Sequence, residues 1–300
     1  MWFLFALIAP FFWATANLFD SSLSNKSFRG TYPLIFYSTV VAVPIAVIIG
    51  LFTHARFPTS GELPFVIAIG VLDILYRFPY YKALQHSDAS VTVSLFSLGK
   101  FFTPLLAFLF AGELLAPREY LGFALILASS IALTITFNKA GRGFTINRSF
   151  WYMLLAAGII LPEAVIWRVV FEKTGMPWQT GFVWSGIASL LCIITFLLVG
   201  RLRRQVVSEF PTLWLVKKQF LGSEIATTTA NLFYVMALVT GPATLVQGIT
   251  SIQPFIVLAY AWLFSSILPK GVFEQLTRGS TVKKIALFSI MLVGILLIRA

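Results

Sequence analysis

Asp73 and Arg77 stand four residues apart in an apolar stretch. That spacing puts two side chains on one face of a helix, close enough to pair. Lys100 is followed by Pro104 and Glu163 directly follows Pro162, both again inside apolar runs. An ionised group at the centre of a membrane helix costs roughly 2.5–3.5 kcal/mol on insertion scales, so such groups are scarce and usually line a cavity. Asn17, Tyr80, Asn231, Tyr234 and Gln247 add neutral hydrogen-bonding groups, as do Thr92 and Ser97. Together they suit a small polar molecule, with carboxylates for an ammonium, cations for a carboxylate, and amides and phenols to orient it. Each also has a plainer reading. Asp73 and Arg77 can merely neutralise each other, Lys100 can be neutralised by a neighbouring carboxylate, and buried amides often make ordinary interhelical contacts. Arg168 suits an interfacial anchor, and Glu224, only a turn and a half into its run, suits a snorkelling side chain.

Other chemistry is absent from the sequence. The single cysteine, Cys192, rules out a disulfide framework, and His54 and His86 lie too far apart in sequence for a histidine metal motif. There is no phosphate loop, no nucleophile with a base and orienting acid, and no paired metal-ligand motif. Neither an enzyme nor a cofactor is expected.

The elements that must hold these residues follow from composition. Of 300 residues, 58% are hydrophobic and 11% charged, with a mean hydropathy of +0.89. Soluble domains carry roughly a quarter charged residues. A span consumes roughly 20 residues, which leaves room for about ten. Apolar runs place them near 2–20, 32–52, 63–82, 89–111 and 117–137, then 150–171, 179–199, 219–239, 243–265 and 282–299. The first run lacks a preceding basic residue and a cleavage site, so it reads as a retained span. All connections read as short loops.

The net charge of +11 is distributed unevenly. Connections after odd-numbered spans hold 15 Lys and Arg, among them Lys26, Lys139, Arg142, Arg201, Arg203, Arg204, Lys270 and Lys284. The opposite side holds 4: Arg56, Arg118, Lys173 and Arg299. The positive-inside rule puts the basic connections in the cytoplasm and both termini outside. Scattered over short loops, these charges describe topology better than a nucleic-acid surface.

The chain also matches itself at an offset of 154 residues. Over residues 80–110 there are nine identities, including Tyr80/Tyr234, Ala83/Ala237, Ser97/Ser251 and Phe101/Phe255, and the same offset pairs Trp13 with Trp167. Each half, 1–140 and 141–300, then holds five spans. An odd number forces the second to enter the membrane upside down. The predicted fold is an all-α integral membrane protein of ten helices in two inverted five-helix repeats, a recurrent plan of secondary transporters with the substrate site near the midplane.

Several short patterns resemble the drug/metabolite transporter superfamily in its EamA-like branch. Trp13-Ala14-Thr15-Ala16-Asn17 is similar to a first-helix pattern of that family, and Tyr80 through Ala83, Leu84 and Ala89 to its third-to-fourth helix junction. Phe110-Ala111-Gly112-Glu113, then Tyr120-Leu121-Gly122, resembles its glycine-glutamate turn, and Ser251-Ile252-Gln253-Pro254 its proline-bearing ninth helix. The resemblance implies ten spans, transport and cytoplasmic termini, the last against the charge count. The chain departs from the pattern at Lys100, aligned with Pro254 where the family usually has proline. It departs again at Ser266 and Ile267, which replace the glycine-glutamate pair in the second half, and in a longer last loop.

The expected activity is secondary transport of a small polar, zwitterionic, amino-acid-like metabolite across the cell membrane by alternating access, driven by a coupling ion or an exchanged solute. The expected binding residues are Asn17, Asp73, Arg77, Tyr80, Lys100, Glu163, Asn231, Tyr234 and Gln247. The competing readings are a non-transporting scaffold on the same fold, an exporter of amphipathic cations, and a membrane enzyme acting on lipid.

Overall fold

A computed structural model describes residues 1–86, 89–134, 148–263 and 278–299. Among these residues the chain is helical and contains no strand. The helices of the first half are α1 (Trp2–Ser22), α2 (Thr31–Phe52), α3 (Leu63–Leu84), α4 (Ala89–Lys100), α5 (Thr103–Ala111) and α6 (Pro117–Thr134). Those of the second half are α7 (Arg148–Ile160), α8 (Glu163–Thr174), α9 (Trp178–Thr195), α10 (Gly200–Leu215), α11 (Lys217–Thr240), α12 (Ala243–Thr250), α13 (Gln253–Leu263) and α14 (Arg278–Arg299). Six segments among the described residues are long and apolar enough to cross a membrane. They are Trp2–Asn25, Thr31–Phe52, Leu63–Leu84, Arg148–Thr174, Trp178–Leu198 and Ala243–Tyr260. The protein is therefore a multi-pass membrane protein. Helix α11 is not among the six. Its 24 residues reach about 36 Å at 1.5 Å per residue, but Glu224, Thr227, Thr228 and Asn231 make it too polar.

Three predicted spans are each two helices. The run 89–111 breaks between α4 and α5, 150–171 between α7 and α8, and 243–265 between α12 and α13. Proline is the cause each time. It has no N–H to donate and its ring crowds the carbonyl four residues back. Pro104 and Pro254 each take the second position of the new helix, and Pro162 immediately precedes α8.

One expectation is overturned. The connection 200–218 is not a short loop but carries α10, which the charge of Arg201, Arg203 and Arg204 disqualifies as a span. Its helical period still sorts the residues. Val206 and Glu209 are buried, whereas Val207, Phe210 and Trp214 are exposed. The Tyr37 hydroxyl donates to the Val206 carbonyl at 2.6 Å and ties α10 to α2. At the start of the chain, α1 continues through a π-helical turn, Leu23–Ser27, held by Asn25 Nδ2 donating to the carbonyls of Ser21 and Leu84. Asp20 is thus well inside the first span rather than at its edge.

The widest contacts join the two halves: α1 with α11, α6 with α14, α3 and α4 with α7, and α2 and α3 with α9. Small residues allow this. A Cβ built on Gly122 would lie 2.6 Å from the Gly294 carbonyl oxygen, and one on Gly294 would lie 2.7 Å from that of Gly122. Such backbone proximity is how membrane helices gain packing without a hydrophobic drive. The Gly112-Glu113 pair has a job of its own. Gly112 ends α5 in the left-handed region (φ +64°), and the Glu113 carboxylate then accepts from the backbone N–H groups of Ala243 (2.6 Å) and Thr244 (2.9 Å) at the start of α12. It satisfies donors that a helix start leaves open. The ends of predicted spans 5 and 9, the last loop, the repeat boundary at 140/141, and Lys139, Arg142, Lys270, Ser266 and Ile267 lie outside the described residues.

Candidate functional site

A cavity of 210 Å³ opens between the two halves. All nine expected binding residues line it: Asn17, Asp73, Arg77, Tyr80, Lys100, Glu163, Asn231, Tyr234 and Gln247. The helix breaks deliver several of them. Lys100 ends α4, Glu163 starts α8, and Gln247, Thr250, Ser251 and Pro254 surround the α12–α13 break. Irregular backbone at membrane depth is tolerated where it faces a cavity.

Two kinds of residue emerge from the bonding. Asp73 and Arg77 are committed to each other, with Arg77 Nη2 3.0 Å from both Asp73 oxygens and Nε 3.3 Å from Oδ1. Arg77 Nη1 also donates to Ser38 Oγ at 3.0 Å, and Ser189 Oγ donates to Asp73 at 3.2 Å. Lys100 is freer. Its Nζ donates to Thr250 Oγ1 at 3.0 Å, and it makes no ion pair among the described residues. The plainer reading, neutralisation by a direct carboxylate partner, is not what is found among the described residues. Among the described residues Glu163 accepts only the Trp167 indole N–H, at 3.0 Å. An ammonium with spare donors and a carboxylate with spare acceptors therefore face one enclosed space.

Neutral groups are pre-positioned in pairs. Tyr80 Oη donates to Asn17 Oδ1 (2.7 Å), Trp13 Nε1 to Asn231 Oδ1 (2.9 Å) and Gln247 Nε2 to Tyr234 Oη (2.8 Å). Asn17 is only 6% exposed, yet its Nδ2 has no partner among the described residues, and neither does Thr228 Oγ1. Both residues line the cavity. Buried polar atoms are normally paired, so these two are open to a bound molecule.

Sequence reasoning missed or misread three residues here. Asp20 lines the cavity, 7% exposed, and accepts from Ser223 Oγ at 2.8 Å. Its position three residues after Asn17 was the available signal, because that spacing shares a helix face. Glu224 does not snorkel. It is 2% exposed and accepts from Ser38 Oγ at 2.9 Å. Arg168 does not reach out as a simple anchor but donates to the Val239 carbonyl (3.1 Å) and pairs with Glu172. Away from the cavity, Arg56 clasps Glu62 through two bonds of 2.8 and 2.6 Å, and Thr59 N–H adds a third at 2.7 Å. Hydrogen bonding from Arg56 holds the Glu62 carboxyl below the usual carboxylate range.

Packed membrane helices around a polar, charged cavity define a polytopic helical membrane protein. Residues 1–135 match the model of the EamA-like transporter family, a similarity in keeping with the drug/metabolite transporter superfamily. A solved structure described only as the crystal structure of a protein superposes with a TM-score of 0.68 at 18% identity. The superposition covers 99% of this chain and 97% of that one, a likeness in fold. No curated protein matches the sequence.

Proposed function

We propose that the protein is a secondary transporter that moves a small zwitterionic, amino-acid-like metabolite across the cell membrane by alternating access. The observation that carries this reading is the meeting, in one cavity, of Lys100 and Glu163, neither of them in an ion pair among the described residues. Taking an ammonium and a carboxylate out of water is costly unless both find partners. Lys100, with the Asn17 amide as a second donor, receives the carboxylate. Glu163 receives the amine, and Tyr80, Tyr234, Asn231 and Gln247 orient the body of the molecule. Arg77 is the weaker candidate for the carboxylate because Asp73 and Ser38 already hold it.

The proposed architecture is ten spans in two inverted repeats, 1–140 and 141–300, rocking about the cavity. The repeat register and the contacts between the halves support it. The proposed orientation has both termini outside, with α10 lying on the cytoplasmic face. There its arginines meet anionic headgroups, while Phe210 and Trp214 dip into the interface. Reporter fusions at Gly141 and at the C-terminus test the orientation. A cytoplasmic C-terminus with an external 138–149 connection would overturn it.

A scaffold reading requires a closed cavity with every buried charge paired, which Lys100 and Glu163 do not support. An exporter of amphipathic cations gains nothing from a lysine at the site. The substrate class is tested by ligand-induced thermal shifts of the purified protein across a panel of amino acids, amines and organic acids. Stabilisation by amino acids alone is expected, and stabilisation by amines alone would overturn the zwitterion assignment.

A further inference from the structure

The substrate reading gives no task to Asp20, Ser38, Ser223 or Glu224, although all four are buried. They belong to two neighbouring hydrogen-bonded groups, each of which joins the two halves of the chain. Asp73 holds Arg77, Arg77 Nη1 donates to Ser38 Oγ (3.0 Å), and Ser38 Oγ donates to Glu224 Oε2 (2.9 Å). Beside it, Ser223 on α11 donates to Asp20 on α1. Among the described residues, Asp73 pairs with Arg77, Glu224 reaches the same guanidinium through Ser38, and Asp20 lies within its electrostatic reach. With all three ionised, one guanidinium would leave two negative charges unbalanced, which is costly away from water. No set of acids among the described residues is placed to hold a metal ion instead. The smallest remedy is a proton. The group also includes an open partner for it. Thr228, one turn after Glu224 on α11, is 4% exposed, and its hydroxyl is unpartnered. Glutamate and threonine at i and i+4 share a helix face.

We propose that Glu224 binds and releases the proton that couples to substrate movement, with Ser38 and Arg77 carrying its charge state to the first half. The inference rests on the transport reading above. With Glu224 ionised, Arg77 donates to Ser38 and Ser38 to the carboxylate, a charge-assisted chain that ties α3 and α2 to α11. When Glu224 takes a proton from water it becomes a neutral acid, and its new O–H turns to the Thr228 oxygen. The chain then loses its anionic end and the tie between halves weakens. Returning the proton to water restores it.

The elements packed around α11 carry several other charged and titratable groups. Asp20 on α1 and Asp73, Arg77 and Tyr81 on α3 all act on its charge. On α2, Tyr37 turns away to the Val206 carbonyl, with Glu209 of α10 nearby. On α9, Ser189 is bonded to Asp73. On α8, Glu163 is bonded to Trp167 and Arg168 to Val239 and Glu172. Lys217 and Lys218 open α11 itself, and α12 carries no titratable side chain. Arg77 is thus the cation in the chain, and Asp20 and Asp73 are the like charges beside it.

The test combines infrared spectroscopy with flux in phosphatidylcholine–phosphatidylglycerol vesicles, using a labelled amino-acid mixture as the probe. Purified wild type at neutral pH is expected to show the carbonyl stretch of a protonated carboxylic acid that Glu224→Gln removes. Glu163→Gln serves as the control and leaves that band in place. Glu224→Gln is expected to keep exchange of label while losing accumulation driven by a pH gradient. Glu224→Asp, which retains an acid, is expected to keep both. Gradient-driven accumulation by Glu224→Gln, or an infrared band indifferent to Glu224→Gln, would overturn the proposal. Absence of exchange by the wild type would instead overturn the transport reading, and the infrared band alone then decides the proton site.

Discussion

Lys100 Nζ donates to Thr250 Oγ1 across the two halves of the chain, at 3.0 Å. The backbone explains why these two residues meet. Each stands four positions before a proline, Pro104 and Pro254, so the carbonyl of each loses the N–H that an unbroken helix would supply. Both helix breaks therefore open at the cavity, and the one central lysine bridges them. Thr250→Val removes the acceptor and leaves the ammonium to a bound carboxylate. It is expected to change amino-acid affinity far less than Lys100→Ala. Losing a charged hydrogen bond costs about 1.5–3 kcal/mol, so Lys100→Ala should weaken binding roughly ten- to a hundredfold, as read by thermal shift against ligand concentration.

Arg77 stabilises through its partners rather than through the cavity. Removing one member of a buried pair leaves an uncompensated charge and costs about 3–5 kcal/mol. Arg77→Ala is expected to lower the melting temperature in detergent sharply. Asp73→Asn in the same chain should recover a large part of the loss. Equal losses in the single and double variants would show that Arg77 is held by something other than Asp73.

The approach of α6 to α14 depends on Gly122 and Gly294. A Cβ on Gly122 meets a backbone oxygen, which cannot rotate away as a side chain would. Overpacking costs about 1–3 kcal/mol, so Gly122→Ala should destabilise the protein by that order. Gly158→Ala is the control, because a Cβ there meets nothing within 4 Å. The comparison is read in parallel melts.

The connection between α2 and α3 should respond to acid. Arg56 lowers the Glu62 carboxyl from its ordinary 4.5. A carboxyl lowered by folding stabilises fully above its unfolded value, and that stability is lost as pH falls through the folded one. The protection of residues 53–62 against hydrogen exchange, taken relative to the intrinsic rate at each pH, is therefore expected to be flat above about pH 5 and to fall below 4.5. Glu62→Gln should be weakly protected at every pH and lose the acid dependence.

Much of this molecule is legible in its sequence, for reasons that differ by residue. The helices and the cavity residues follow from hydropathy, because a charge such as Lys100 or Glu163 in an apolar run has nowhere to go but a polar interior. The prolines mark the breaks at 104, 162 and 254. Helix α10 escapes notice because three arginines in its first turns look like a loop, although Val206 and Glu209 keep one face buried. Asp20 is read as a boundary because the π turn that prolongs α1 has no signature in hydropathy. Glu224 is read as snorkelling from its distance along the helix, and the sequence cannot show that Ser38 of another helix waits for it. Gly122 and Gly294 are single glycines on different helices, and only the packing reveals that they face each other.

Transport here means movement of a zwitterion through the cavity. The direct measurement is counterflow of a labelled amino-acid mixture into proteoliposomes loaded with the same amino acids unlabelled. Wild type, Lys100→Ala and Glu163→Gln are compared at matched protein incorporation. Label is expected to accumulate with the wild type, and both variants should fall toward protein-free vesicles. Wild-type counterflow no faster than in empty vesicles, or flux untouched by either substitution, would contradict the account.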